Sequence, residues 1–228
     1  ELGGQLIMGS VTDYKKELLT LIRFQKRQIK RFGVECHLGH EVTLDTIEKE
    51  NPDVIILATG SVPVLPRVQG IDKPIVTSYV EMLEGNTPQP KKTVVIGGGA
   101  TGCEVAHHLA ESGSQVTIVE MLPKIGTALE SMTRKILLRK LRTRKTIILT
   151  ETKLMKVEDN GVVVSDRDGN ETFLEAERVV IAIGSKPDNG LYEKLQPLKY
   201  EVHRIGDCLE PRSAKTAIHE SAVLGRSI

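Results

Sequence analysis

Tryptophan is absent from the 228 residues, and four Tyr with three Phe bring the aromatic share to only 3%. So thin an aromatic content argues against a stacking platform for single-stranded nucleic acid or sugars. Neither sign of charge prevails, since 31 Lys and Arg face 30 Asp and Glu for a net charge of +1. No overall field therefore draws nucleic acid or an anionic membrane to the chain. The apolar runs Val54 to Ala58 and Val179 to Ile183 stop at five residues, where a bilayer span takes about 20. The opening residues carry no basic-then-apolar signal segment. With 39% apolar and 27% charged residues, the chain can bury a core. It reads as a soluble, cytoplasmic α/β protein with neither a nucleic-acid nor a membrane partner.

Cysteine is scarce too. Cys36, Cys103 and Cys208 lie 67 and 105 residues apart, so there is no CxxC pair and no disulfide framework. Dithiol redox chemistry within this chain is excluded, and each thiol reads as a small buried hydrophobe. Cys36, His37 and His40 offer no fourth ligand at regular zinc spacing, so no metal site is assigned.

What is present is an α/β rhythm. A glycine-bearing loop leads into a long helix with Leu18, Ile22, Ile29 and Phe32 on one face, capped by Ser10 or Thr12 and closed by Gly33. A short strand is expected near Val34 to Leu38. After Asn51-Pro52 the run Val54 to Ala58 suits a strand buried on both faces. Residues Gly85 to Lys92 have the composition of a linker. Beyond them the spacing predicts strand Thr93–Ile96, a helix to Ser112, strand Gln115–Glu120, a helix over Ser131–Arg142 and strand Ile147–Thr150. Residues Lys153–Phe173 alternate around Asn160-Gly161 and Asp168-Gly169 as an antiparallel meander. Strand Arg178–Ile183 follows, then strand Glu201–Ile205 and a last helix from Ser213.

The strongest motif is Gly97-Gly98-Gly99-Ala100-Thr101-Gly102, a GxGxxG directly after an apolar strand and directly before a helix. Gly97 allows the tight turn, Gly99 lets backbone N–H groups approach a pyrophosphate, and Gly102 permits close helix–strand packing. Glu120 ends the next strand 18 residues past Gly102, where a carboxylate accepts from an adenosine ribose. No arginine follows it in Met121 to Lys124, so NADH is expected over NADPH. Gly60 and Gly184 each follow a strand and precede a proline, bracketing this nucleotide-binding stretch. Gly206-Asp207 follows a strand and precedes the final helix, with Asp207 an acceptor for sugar or ribityl hydroxyls.

Taken in order, Leu2-Gly3-Gly4-Gln5-Leu6, Ala58-Thr59-Gly60, the fingerprint, Ile183-Gly184 and Gly206-Asp207 resemble the two-dinucleotide-fold flavoprotein reductases. The wording is most similar to the C-terminal half of NADH:flavin oxidoreductases of the 2-enoate reductase and 2,4-dienoyl-CoA reductase type. Gly99 to Glu104, Val116 to Met121, Gly206 to Arg212 and Ala217 to Ala222 carry that likeness. The resemblance implies two Rossmann-like dinucleotide-binding domains, with an incomplete FAD domain split around the NAD domain. The pieces expected are 1–88 (FAD), 89–186 (NAD(H)) and 187–228 (FAD). It places Gly97, Gly98, Gly99, Ala100, Thr101, Gly102, Glu120 and Gly184 on the NAD side. Gly3, Gly4, Gln5, Thr59, Gly60, Gly206 and Asp207 fall on the FAD side, and the last helix aims its N-terminus at the flavin pyrimidine ring.

Family members carry a first GxGxxG before Leu-Gly-Gly-Gln, and an N-terminal (β/α)8 barrel with FMN and a 4Fe-4S cluster. This sequence shows neither, so it reads as a fragment, with the barrel as its partner and homo-oligomer formation left open. Weakened FAD binding, a colourless or faintly yellow protein and little activity alone are expected. Hydride transfer from nicotinamide to flavin needs placement more than proton transfer, so no catalytic acid or base is named. Two other readings stand beside it: a non-catalytic module holding ADP or NAD, and an NADH oxidase. Seven basic residues in the twelve from Arg134 to Lys145 read as the solvated face of an amphipathic helix.

Overall fold

The computed structural model describes residues 1–85 and 90–228. The first elements are α1 (Gln5–Gly9), α2 (Leu18–Arg31), α3 (Leu44–Glu50), β1 (Val54–Leu57), β2 (Ser61–Pro63), β3 (Val76–Ser78) and α4 (Tyr79–Leu83). Then come β4 (Lys92–Ile96), α5 (Ala100–Glu111), β5 (Gln115–Val119), α6 (Ser131–Thr143) and β6 (Ile147–Leu149). The strands β7 (Lys153–Glu158), β8 (Gly161–Ser165), β9 (Glu171–Glu175) and β10 (Arg178–Ile181) precede β11 (Ser185–Pro187), α7 (Gly190–Leu195), β12 (Glu201–Arg204) and α8 (Ala214–Leu224). The α/β class expected from the sequence is the one the chain adopts. The expected linker falls, at residues 86–89, outside the described residues, as does the expected boundary between residues 88 and 89.

The chain divides into two compact units. Unit 2, Val11–Lys15 with Pro63–Gly184, is built on a parallel sheet in the order β3-β10-β4-β5-β6. Side chains alternate across a strand, and here the alternation sorts two cores. Val95, Ile118 and Val180 face α4, α5 and α6, against Met82, Val105, Leu109, Leu137 and Leu141. Val94, Ile96, Val119, Val179 and Ile181 face the other way, against Val157, Val162 and Val164 of the antiparallel meander β7-β8-β9. Coverage of both faces is what makes these parallel strands near-continuous apolar runs. The order places the β4–α5 turn at the carboxyl end of a central strand, where open α/β sheets bind ligands.

Unit 1 gathers Glu1–Ser10, Lys16–Val62 and Ser185–Ile228. Its strands β1 and β12 pair in parallel, and Ile47, Ile55, Leu57, Leu195 and Cys208 form its buried cluster. Three expectations fail here. β1 is covered on one face only: Ile55 and Leu57 are buried, but Ile56 on the opposite face is 43% exposed. Residues Val34 to Leu38 form no strand, for no strand among the described residues pairs with them, and Val34 and Leu38 are exposed. The long first helix is interrupted. Its main body starts at Leu18 with Glu17 as N-cap, not Ser10 or Thr12. Residues 11–15 are instead held in unit 2, where the Lys15 ammonium pairs with Glu104 at 2.5 Å and Tyr14 stands edge-on to His107. Gly33 does close α2, at φ +66. Ser213 caps α8 by accepting from Thr216 N–H.

Candidate functional site

In unit 2 the glycine turn is crowded at Gly97, Gly98 and Gly102 and open at Gly99. Gly97 takes φ +105, and a Cβ there would run into the Ala182 carbonyl at the end of β10. A Cβ on Gly102 would run into the Gly97 carbonyl, so these two positions admit only glycine for steric reasons. Gly99 differs. It is the N-cap of α5 with no side-chain cap, and a Cβ added there meets nothing within 4 Å. Open space thus lies over the N-terminus of α5, with Ala100, Thr101 and Gly102 in its first turn. Exposed N–H groups and the positive end of the helix suit an anionic group. Those features fit a dinucleotide pyrophosphate.

Glu120, 9% exposed, accepts from Gly98 N–H at 2.6 Å and from Leu122 N–H at 2.7 Å. Each carboxylate oxygen keeps a second acceptor site, so contact with a ribose hydroxyl remains compatible with this double anchoring. Sequence reasoning missed the anchoring itself. Gly184, at φ +115, has open space where a Cβ would stand, and its carbonyl accepts from Val64 N–H at 3.0 Å.

The basic stretch of α6 is only partly a solvated face. Arg134 is half-buried and donates from Nε to the Ile125 carbonyl at 2.9 Å, and Lys140 lies 4.7 Å from the Tyr14 ring centroid. Both tertiary partners lie far enough away in sequence to escape periodicity. Burial pushes the Cys103 thiol up to about 12, helped by the Glu104 and Glu120 carboxylates. It stays a thiol, and its Sγ–H faces the Gly98 carbonyl at 3.3 Å.

In unit 1 the residues assigned to the flavin side divide into two groups. Gln5 Nε2 donates to Asp207 Oδ2 at 3.1 Å and to Ser61 Oγ at 3.2 Å, and Ser61 Oγ donates to the same Asp207 oxygen at 3.3 Å. Arg212 N–H supplies the other oxygen at 3.2 Å. Gly60, at φ +79, passes close to Gln5 Nε2. Gln5, Gly60 and Asp207 are thus brought together around a carboxylate held by three donors, a setting that fits a hydroxyl-bearing chain. Thr59 is turned away, its hydroxyl donating to the Asp188 carbonyl at 2.7 Å. Gly3 (φ +134) and Gly4 (φ +47) shape the entry to α1. Gly206, at φ +65, donates its N–H to Glu220 at 2.8 Å, and Glu220 also pairs with Arg212. That pairing and the Gly206 N–H hold the Glu220 carboxyl below its ordinary range, with the backbone donor the larger cause. Ser61, Arg212 and Glu220 had no role assigned from sequence.

The family described as pyridine nucleotide-disulphide oxidoreductase matches residues 14–221. The chain belongs to that family. An NADH oxidase of Thermoanaerobacter brockii is 36% identical over 211 residues, covering 90% of this chain and 32% of that protein. A bilirubin reductase of Mediterraneibacter gnavus is 32% identical, covering 92% of this chain and 32% of its own. Among solved structures, a 2-naphthoyl-CoA reductase in complex with 2-naphthoyl-CoA superposes with a TM-score of 0.92 at 32% identity. It covers 96% of this chain, which covers 33% of that one. The chain therefore spans about a third of the length of these relatives. The resemblance drawn from the five motifs is borne out. No described helix is long and apolar enough to cross a membrane.

Proposed function

We propose that this chain is the part of an NADH-dependent flavoprotein oxidoreductase that takes hydride from NADH to FAD. The observation that carries the reading is the GxGxxG turn, with open space above Gly99 and an anchor to Glu120 through a 2.6 Å hydrogen bond. Unit 2 holds the nicotinamide dinucleotide: the α5 N-terminus takes the pyrophosphate, and the Glu120 carboxylate takes the adenosine ribose and disfavours a 2′-phosphate. Gly184 lines the nicotinamide half. In unit 1, Gly3, Gly4, Gln5, Thr59, Gly60, Gly206 and Asp207 serve the flavin, with Asp207 receiving ribityl hydroxyls. Bound FAD supplies a two-electron acceptor. The residues supply placement, so no side-chain acid or base is required.

In the longer protein, electrons then pass to a barrel carrying FMN and a 4Fe-4S cluster, which reduces an activated C=C bond. Relatives named cinnamate reductase and 2-naphthoyl-CoA reductase support that destination. A second acceptor, molecular oxygen, is favoured by the likeness to an NADH oxidase. Anaerobic mixing of the FAD-loaded protein with one equivalent of NADH tests the reading. Loss of the flavin's visible absorbance matched to NADH oxidation supports it. Binding of NADH or ADP without flavin reduction identifies a nucleotide-holding module instead.

A further inference from the structure

We propose that Cys103 and Arg134 are positioning residues that lock the Gly99 N–H outward, toward the phosphates of the dinucleotide assigned to unit 2 above. The argument starts at one peptide plane. The Gly98 carbonyl accepts from Gly126 N–H at 2.7 Å and from the Cys103 thiol at 3.3 Å. Both donors lie on the protein side of the turn. In a trans peptide the N–H points opposite to the C=O of the same plane, and the described chain contains no cis bond. Holding the Gly98 oxygen inward therefore turns the Gly99 N–H outward. It faces the side where Gly99 has open space, and no partner for it exists among the described residues.

Arg134 acts one step further back. Its Nε fixes the Ile125 carbonyl, and its side-chain stem lies over Gly126. Ile125 is 4% exposed and packs where a side chain on Gly98 would otherwise stand. The Ile125 carbonyl and the Gly126 N–H share one trans peptide plane, so the bond from Arg134 to that oxygen also fixes the direction of the N–H. Arg134 thus sets Ile125, Ile125 and Gly126 set the Gly98 oxygen, and the Gly98 oxygen sets the Gly99 N–H. Burial keeps Cys103 protonated, so its donor persists across the working pH range. A preset donor spares the ligand the cost of ordering the turn when it binds.

The inference rests on the reading of unit 2 as a dinucleotide site, and the test separates the two. NADH, ADP and adenosine are titrated against the whole chain and against Cys103→Ala, Cys103→Ser and Arg134→Met. The expected result is NADH and ADP binding weakened about fivefold or more in Cys103→Ala and Arg134→Met, the scale of one lost hydrogen bond. Adenosine, which has no phosphate, stays within about twofold, and Cys103→Ser, which restores a donor, returns NADH to near the wild-type value. Variants that bind NADH as tightly as wild type overturn the inference and leave the site reading intact. So do variants that lose adenosine as severely as ADP, since that marks general loosening. Failure of the wild-type chain to bind either NADH or ADP overturns both.

Discussion

Replacing Glu120 by Gln tests whether this carboxylate is a structural tie as well as the ribose partner proposed above. The side chain is 9% exposed and bridges two backbone donors, Gly98 N–H at 2.6 Å and Leu122 N–H at 2.7 Å. Glutamine has the same shape but one acceptor oxygen. Whichever way the amide is turned, its NH2 meets one of the two N–H groups, donor against donor. One charge-assisted bond is lost, one is weakened to a neutral bond, and a poorly solvated N–H loses its partner, about 3 kcal/mol together. For a unit of this size that lowers the melting temperature by roughly 10–15 °C. Thermal unfolding followed by circular dichroism measures it, with NADH titration alongside. The fall in stability should be present without any nucleotide. An E120Q protein that melts within about 2 °C of wild type yet loses NADH would refute the tie and leave only a ribose contact.

Two glycines of one motif should separate folding from binding. Gly102→Ala drives a methyl group into the Gly97 carbonyl and should cost about 3 kcal/mol or more of stability, read by chemical unfolding. Gly99→Ala adds a methyl group to open space, so it should fold normally but weaken ADP binding at least about tenfold. Burial lowers the His107 pKa from its ordinary 6.5, and Lys140, Arg144 and His108 add to the effect against the opposing Glu111 carboxylate. The folded state therefore favours the neutral ring. Its stabilisation is complete above 6.5 and fades as pH falls toward the lower folded value. Melting temperatures of wild type and His107→Leu should converge in that range, and parallel curves would contradict it. Of the three thiols expected to be buried, Cys103 and Cys208 are, but Cys36 is exposed. Folded protein should give one rapidly reacting thiol with a colorimetric disulfide reagent and three after denaturation, whereas two fast thiols would place Cys103 or Cys208 in solvent.

What was readable in advance was local. The GxGxxG turn, the strands on either side of it and the meander turns at Asn160-Gly161 and Asp168-Gly169 depend on spacing within a few residues, and β4, α5, β5 and α6 end within two residues of expectation. Val34 to Leu38 carried strand-like residues but needed a neighbouring strand, which a pattern of side chains does not provide. The break before Leu18 was hidden because Lys15 pairs with Glu104, 89 residues away. The contacts among Gln5, Ser61 and Asp207, and the clamp from Arg134 through Ile125 to the glycine turn, likewise join distant segments. Arg134 looked like one more charge on a solvated helix, and only its 2.9 Å bond to Ile125 sets it apart.

The central claim is that the turn over Gly99 receives NADH in preference to NADPH. A calorimetric titration of the chain with NADH, NADPH and ADP tests it directly. The account predicts saturable, one-to-one NADH binding at least about tenfold tighter than NADPH, because the ribose position proposed at Glu120 would set its carboxylate against a 2′-phosphate. Equal affinity for the two, or ADP binding as tight as NADH, would contradict it.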